Sequence, residues 1–112
     1  MDVMVFIWSG GQEADEQNDG ALQEMFEFVT GLAASGRLTG GGPLRPASEG
    51  RTIRARKGTV TVMDGPYAET KEVLAGYFVL HVDSLDEAVQ LTEACPGAKY
   101  GGVELREIIP MG

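Results

Sequence analysis

The chain has 112 residues, 43% hydrophobic and 23% charged, with seventeen acidic against nine basic side chains and a formal charge of −8. Such a length holds one modest core and no second one, so a single domain over residues 1–112 is expected. An acidic surface repels phosphate backbones and argues against direct nucleic-acid binding, and no apolar run approaches the ~20 residues that span a bilayer.

The start, Met1-Asp2-Val3-Met4-Val5-Phe6-Ile7-Trp8, has no basic n-region, and its apolar run is too short for a signal peptide, so a first strand and a cytoplasmic protein are expected. Val3 to Trp8 is apolar without alternation, as in a strand covered on both faces. Ser9-Gly10-Gly11 ends it. The acidic stretch from Gln12 to Gly20 reads as a solvated loop, with Asn18 or Asp19 available as a helix cap. Leu22, Met25, Phe26, Val29, Leu32 and Ala33 recur at helical spacing up to Gly36, a suitable C-terminal glycine.

Arg37-Leu38-Thr39 starts a second strand, expected to dissolve into Gly40-Gly41-Gly42-Pro43. This glycine run lacks the Lys-Ser/Thr ending of a phosphate loop, and a flexible backbone or a bulge is the stronger reading. Thr52–Arg56 and Thr59–Met63 straddle Lys57-Gly58 as a hairpin. Arg45, Arg51, Arg54, Arg56 and Lys57 fall within thirteen residues here. They are either the solvated face of that hairpin or an anion or carboxylate subsite. Tyr77 to Val82 is another strand that is apolar on both faces. Ser84-Leu85-Asp86-Glu87 is a capping box that opens a second helix, which runs through Cys95 and stops at Pro96-Gly97. Cys95 reads as a buried small hydrophobe, and as the single cysteine it excludes an internal disulfide and a Cys-based metal site. Val103–Ile109 is the last strand.

Without the inserted hairpin the order is strand, helix, strand, strand, helix, strand. The fold class is therefore α+β, a ferredoxin-like βαββαβ arrangement with an inserted β-hairpin. Its first and third strands are central, which suits the two all-apolar segments. Two helices cover only one face of such a sheet, so Val5, Ile7, Val79 or their neighbours would line an exposed apolar face. A second copy of the chain is the simplest cover, giving a homodimer packed sheet against sheet.

Chemistry concentrates in Asp64-Gly65-Pro66-Tyr67-Ala68-Glu69-Thr70-Lys71-Glu72, between two apolar strands. Asp-Gly-Pro is turn chemistry in the first instance, while a carboxylate at a strand end facing a pocket could also accept a proton or hold a ligand. On a helical turn Glu69 and Glu72 share one face and Lys71 projects elsewhere. These groups form either a solvated turn or a carboxylate pair for general acid–base work. Asp64, Glu69, Lys71 and Glu72 are thus the catalytic candidates. Tyr67 and Tyr77 are candidates for a pocket wall or for the core. Glu104 and Arg106 share a face of the last strand, either paired across the dimer or lining the pocket. Arg54 completes the ligand-binding candidates. His81, alone of its kind, reads as structural. No Cys or His cluster supports a metal, and no cofactor is implied.

From Val62 to Val82 the chain resembles the DGPF-domain branch of the YCII-related family. The usual pattern there is Thr-Asp-Gly-Pro-Phe-Ala-Glu-Thr-Lys-Glu-x-Leu-Gly-Gly-Tyr. Met63, Tyr67, Ala75 and Phe78 stand where that pattern has Thr, Phe, Gly and Tyr. Ala98 through Tyr100-Gly101-Gly102-Val103-Glu104-Leu105-Arg106 matches as well, and the resemblance covers nearly the whole chain. It implies a dimeric α+β barrel. Related proteins place a His–Asp pair near the start of the first helix, whereas Asp19 to Met25 contains no histidine, so a mechanism built on that pair does not transfer. Three functions remain open. One is a homodimer that binds a small molecule in a polar pocket beside the 64–72 loop, with general acid–base catalysis as an added capacity. Another is a non-catalytic sensor linked to an extracytoplasmic-function sigma factor. The third is a structural dimer whose Asp64-Gly65-Pro66 turn merely closes the fold.

Overall fold

The computed structural model describes residues 1–9, 19–65 and 73–111. The elements in chain order are β1 (Asp2–Trp8), α1 (Asp19–Ala34), β2 (Leu38–Pro43), β3 (Arg51–Arg56), β4 (Thr59–Asp64), β5 (Leu74–His81), α2 (Leu85–Thr92), α3 (Gly97–Tyr100) and β6 (Gly102–Glu107). Four strands form an antiparallel sheet in the order β2-β5-β1-β6, and β3 and β4 form a separate two-stranded sheet. With the hairpin set aside, the four core strands stand in the order second, third, first, fourth. This is the ferredoxin-like arrangement with the two all-apolar strands in the centre.

Alternation along a strand sends neighbours to opposite faces, and β1 obeys it. Val3, Val5 and Ile7 are buried beneath the helices together with Phe78 and Leu80 of β5, while Met4, Phe6 and Trp8 are half-buried on the other side. Leu32 from α1, Ala88 from α2 and Cys95 complete the core, with Met25, Phe28, Leu38, Leu91, Val103 and Leu105 packed around it. Each fully buried aliphatic side chain here contributes about 1.5–3 kcal/mol of transfer free energy. The expectation for the uncovered face was right for Val79. Val5 and Ile7 instead face the helices, and their neighbours Met4, Phe6 and Trp8 take the open side. A continuous apolar run carries no signal for which parity faces inward.

The glycine segment is a strand rather than the end of one. Gly40, Gly41, Gly42 and Pro43 pair with Val79, Phe78, Tyr77 and Gly76, with a register shift between Leu38 and Gly40. At Gly41 the backbone takes φ 124, and a Cβ there would overlap the Tyr77 carbonyl oxygen and the Phe78 Cα. Only glycine lets the two backbones come this close.

In α2, Ser84 Oγ accepts from the Glu87 N–H at 3.1 Å, and Glu87 Oε1 accepts from the Asp83 N–H at 3.0 Å and pairs with Arg37 at 2.9 Å. The helix ends at Thr92, so Cys95 sits in the turn that follows. There α3, a short helix with no sequence expectation, begins at Gly97. Asp19 is the first residue of α1 rather than its cap, and Asn18 lies outside the described residues. The β3–β4 hairpin turns at Lys57-Gly58, both at positive φ (51° and 81°), the geometry a two-residue hairpin turn requires.

Candidate functional site

Beneath α1, where β1 ends beside β5 and β2, lies a cavity of about 160 Å³. Its roof is Ala21, Leu22, Met25, Phe26 and Val29 of α1, and its floor is Ile7, Ala75, Gly76 and Phe78 with the glycine strand. At Gly76 a Cβ would come within 3.1 Å of the Gly42 carbonyl oxygen and 3.3 Å of the Pro43 Cα, so β2 lies close against β5 along this floor. Gly97 and Tyr100 of α3 form one wall. That wall is clasped to α1, because Glu24 accepts from Lys99 Nζ at 2.6 Å and from Tyr100 Oη at 3.1 Å. The hydrogen bond from Lys99 holds the Glu24 carboxyl below its ordinary range, helped by Tyr100, and the Lys99 ammonium is raised in turn by Glu24.

The lining is apolar and, among the described residues, carries no charged side chain. Two of its polar groups are engaged elsewhere: Tyr100 by Glu24, and Trp8, whose Nε1–H donates to Glu104 Oε1 at 3.2 Å. Ser9 differs. It is 4% exposed, and its Oγ is buried with no hydrogen-bond partner among the described residues. Ser9 continues the Val3, Val5, Ile7 parity one step beyond β1, which places it under α1. Its N–H donates to the Val73 carbonyl at 2.9 Å, so the chain leaving the 66–72 segment meets β1 beside the cavity. The sequence reading took Ser9 only as a strand terminator. The available signal was the unbroken alternation past Trp8.

The sequence candidates are dispersed. Tyr67, Glu69, Lys71 and Glu72 lie outside the described residues. Asp64 ends β4 with an 87% exposed side chain and pairs with Arg51 Nε at 3.1 Å, and the following Gly65 takes φ 80 as the Asp-Gly turn requires. Arg45 binds Glu49 through two contacts of 3.2 and 3.0 Å, so Arg45, like Arg51, is matched locally. Arg54 is half-buried on the hairpin face that also carries Thr52 and Met63, while Ile53, Val60 and Val62 are exposed on the other. Tyr77 lines the cavity.

Glu104 and Arg106 pair with each other at 2.9 Å on the open sheet face, where Arg106 sits 4.9 Å above the Phe6 ring and Phe6 stacks on Trp8. Neither lines the cavity. His81 Nδ1 lies 2.8 Å from Asp2 Oδ1 at the far end of that same face. Burial raises the Cys95 thiol pKa, which keeps it protonated and unreactive behind Met25. Among the described residues there is no His, Cys or carboxylate group of three that would hold a metal, and no helix is long and apolar enough to cross a membrane.

Against known proteins, the family model described as the YCII-related domain matches residues 1–112. The chain belongs to the YCII-related family. An uncharacterized protein of Rhizobium meliloti (strain 1021) is 32% identical over 95 residues, covering 83% of this chain and 77% of that protein. Among solved structures, 5-chloro-2-hydroxyhydroquinone dehydrochlorinase from Burkholderia phenoliruptrix AC1100, in complex with 2,5-dihydroxybenzoquinone, is similar at a TM-score of 0.45 and 15% identity. That likeness covers 97% of this chain and 94% of that one.

Proposed function

We propose that this YCII-related protein, a single domain over residues 1–112, binds a small molecule in the cavity beneath α1 and works as a homodimer. The observation that carries the reading is the cavity itself, about 160 Å³ of space with an apolar lining between helix and sheet. Proteins keep few such voids, because a dry void forfeits dispersion contacts. The polar loop the sequence singled out returns to the described chain at Val73, bonded to Ser9 at the cavity. In this reading Glu69, Lys71 and Glu72 supply the polar rim.

Support for the dimer comes from the open face, where Met4, Phe6, Trp8, Tyr77 and Val79 lie across the two central strands with no helix over them among the described residues. The molecule is only 18 Å deep in its short dimension, the depth of one sheet and one helix layer. A second sheet would complete the α+β barrel.

Binding without turnover is favoured over catalysis by one observation. Asp64, the one catalytic candidate among the described residues, is exposed in an ion pair and absent from the cavity lining. The sensor reading, with an extracytoplasmic-function sigma factor downstream, is compatible with this and rests on the family resemblance.

The test is a thermal-shift screen of a metabolite library against the wild type, Glu69→Gln and the cavity-filling Val29→Phe. A ligand bound only by the folded state raises the melting temperature by mass action. Hits lost in Val29→Phe support the site, and turnover of a hit that Glu69→Gln abolishes would make the protein an enzyme. Hits indifferent to Val29→Phe, or no hits, refute the reading.

A further inference from the structure

The cavity's size, its lining and a buried polar atom left unmatched among the described residues together narrow the ligand. An apolar cavity of about 150 Å³ admits one benzene ring, and this one measures about 160 Å³. With no charged side chain among its described lining residues, it offers nothing to compensate a buried carboxylate or ammonium, whose desolvation is the largest cost a ligand could bring. What it does offer is Ser9 Oγ, buried, without a partner among the described residues and set in the lining beside Ile7 and Trp8. A hydroxyl left unmatched in an apolar site costs stability in the empty protein. A hydroxyl also donates and accepts, so it matches a phenolic or alcoholic O–H as well as a carbonyl.

We propose that the cavity is a site for a neutral, single-ring compound bearing one hydroxyl or carbonyl, and that Ser9 Oγ is the group that recognises that oxygen. The inference rests on the reading that this cavity is the ligand site. The flat glycine floor and the aromatic residues around it, Trp8, Phe26, Phe78 and Tyr100, suit a planar ring, which stacks at low cost in entropy.

Trp8 makes the test direct. It is the single tryptophan of the chain and it lines the cavity, so its fluorescence, excited at the red edge of indole absorption, reports occupancy. The probes are phenol, cyclohexanone, toluene and benzoate, titrated against wild type, Ser9→Ala and Val29→Phe. Phenol and cyclohexanone are expected to bind about fivefold to tenfold more tightly than toluene, the worth of one net hydrogen bond, and benzoate is not expected to bind. Ser9→Ala should bring phenol to the level of toluene and leave toluene unchanged, while Val29→Phe should remove both signals. Circular dichroism checks that Val29→Phe folds, with Leu38→Phe as a second filling variant.

Toluene binding as tightly as phenol, benzoate binding best, or a phenol-to-toluene ratio that Ser9→Ala does not move would each overturn the inference. If none of the four probes binds, the inference fails. The cavity reading then stands or falls separately, on whether library hits are lost in Val29→Phe.

Discussion

Replacing Ser9 with alanine should stabilise the unliganded protein, although it removes a polar group beside a strand end. In the free chain the Ser9 hydroxyl is 4% exposed and has no hydrogen-bond partner among the described residues. A buried group in that state costs about 1–3 kcal/mol relative to a matched one. The substitution deletes one oxygen, so the cavity grows by little, and the opposing penalty is a few tenths of a kcal/mol at about 24 cal/mol per Å³. The backbone bond from the Ser9 N–H to the Val73 carbonyl survives. A net gain of about 1 kcal/mol follows, equivalent to roughly 4 °C in melting temperature for a domain of this length.

Differential scanning calorimetry and urea melts at one fixed protein concentration measure this, the concentration being held because a dimer's melting point depends on it. Ser35→Ala is the control. Its Oγ donates to the Leu32 carbonyl at 2.5 Å and accepts from the Arg37 N–H at 3.2 Å, so its loss should cost about 0.5–1.5 kcal/mol. The two serine substitutions therefore differ in sign. A Ser9→Ala protein that melts lower, by an amount comparable to Ser35→Ala, would mean the hydroxyl is matched in the free protein. The argument for a waiting polar handle would then be refuted.

Gly41→Ala should destabilise by about 2–3 kcal/mol or more in urea melts, since φ 124 is strained for any side chain and the added Cβ meets the Tyr77 backbone. A change below about 0.5 kcal/mol would show that β2 does not approach β5 as described. Phe6→Asp, on the open face beneath Arg106, is predicted to turn the dimer into a folded monomer in sedimentation equilibrium; a wild type already monomeric at micromolar concentration would remove the dimer. The Glu24 clasp has a defined pH signature. Its carboxyl is depressed in the folded state by Lys99, so its contribution is complete above the unfolded value near 4.5 and fades as pH falls through the lower folded value. Lys99→Met should flatten stability across that acid window and leave neutral pH little changed, because the pair is exposed and screened. An unaltered acid limb would mean the clasp is not formed.

The core strand order was legible because two long apolar segments have to sit centrally and two amphipathic helices supply one covering layer. Parity was not. Val3 to Trp8 is apolar at every position, so alternation gives no contrast, and only the helices decide that Val5 and Ile7 face inward while Phe6 and Trp8 face outward. The glycine strand was invisible for a related reason: Gly40 to Gly42 present no side chains to alternate, and their pairing with β5 depends on the close approach at Gly41. The four-residue α3 is too short for any period to register. Residue type drew the sequence reading toward charged groups, which turn out on the hairpin, on the open face, or outside the described residues. The cavity is assembled from glycines, aromatics and one serine whose significance lies in a missing partner, and composition carries no trace of that. The polar pocket expected beside the 64–72 loop is, in its described lining, an apolar one.

Trp8 joins the two faces of the sheet. Trp8 is among the residues that line the cavity, and its indole N–H reaches Glu104 on the open side, where Glu104 also holds Arg106 over Phe6. The register shifts between Ile7 and Trp8, where Trp8 pairs with Leu74 rather than with Ala75, so the strand end by the cavity and the open-face ring belong to the same residue. A second copy seated on the open face would take Phe6, Glu104 and Arg106 out of water and strengthen the charge-assisted contacts among them. The Trp8 ring would be held more firmly as a result. An isolated chain would leave that wall of the cavity more mobile. In the proposed dimer, the open face therefore does more than hide apolar surface, because it preorganises one wall of the ligand site.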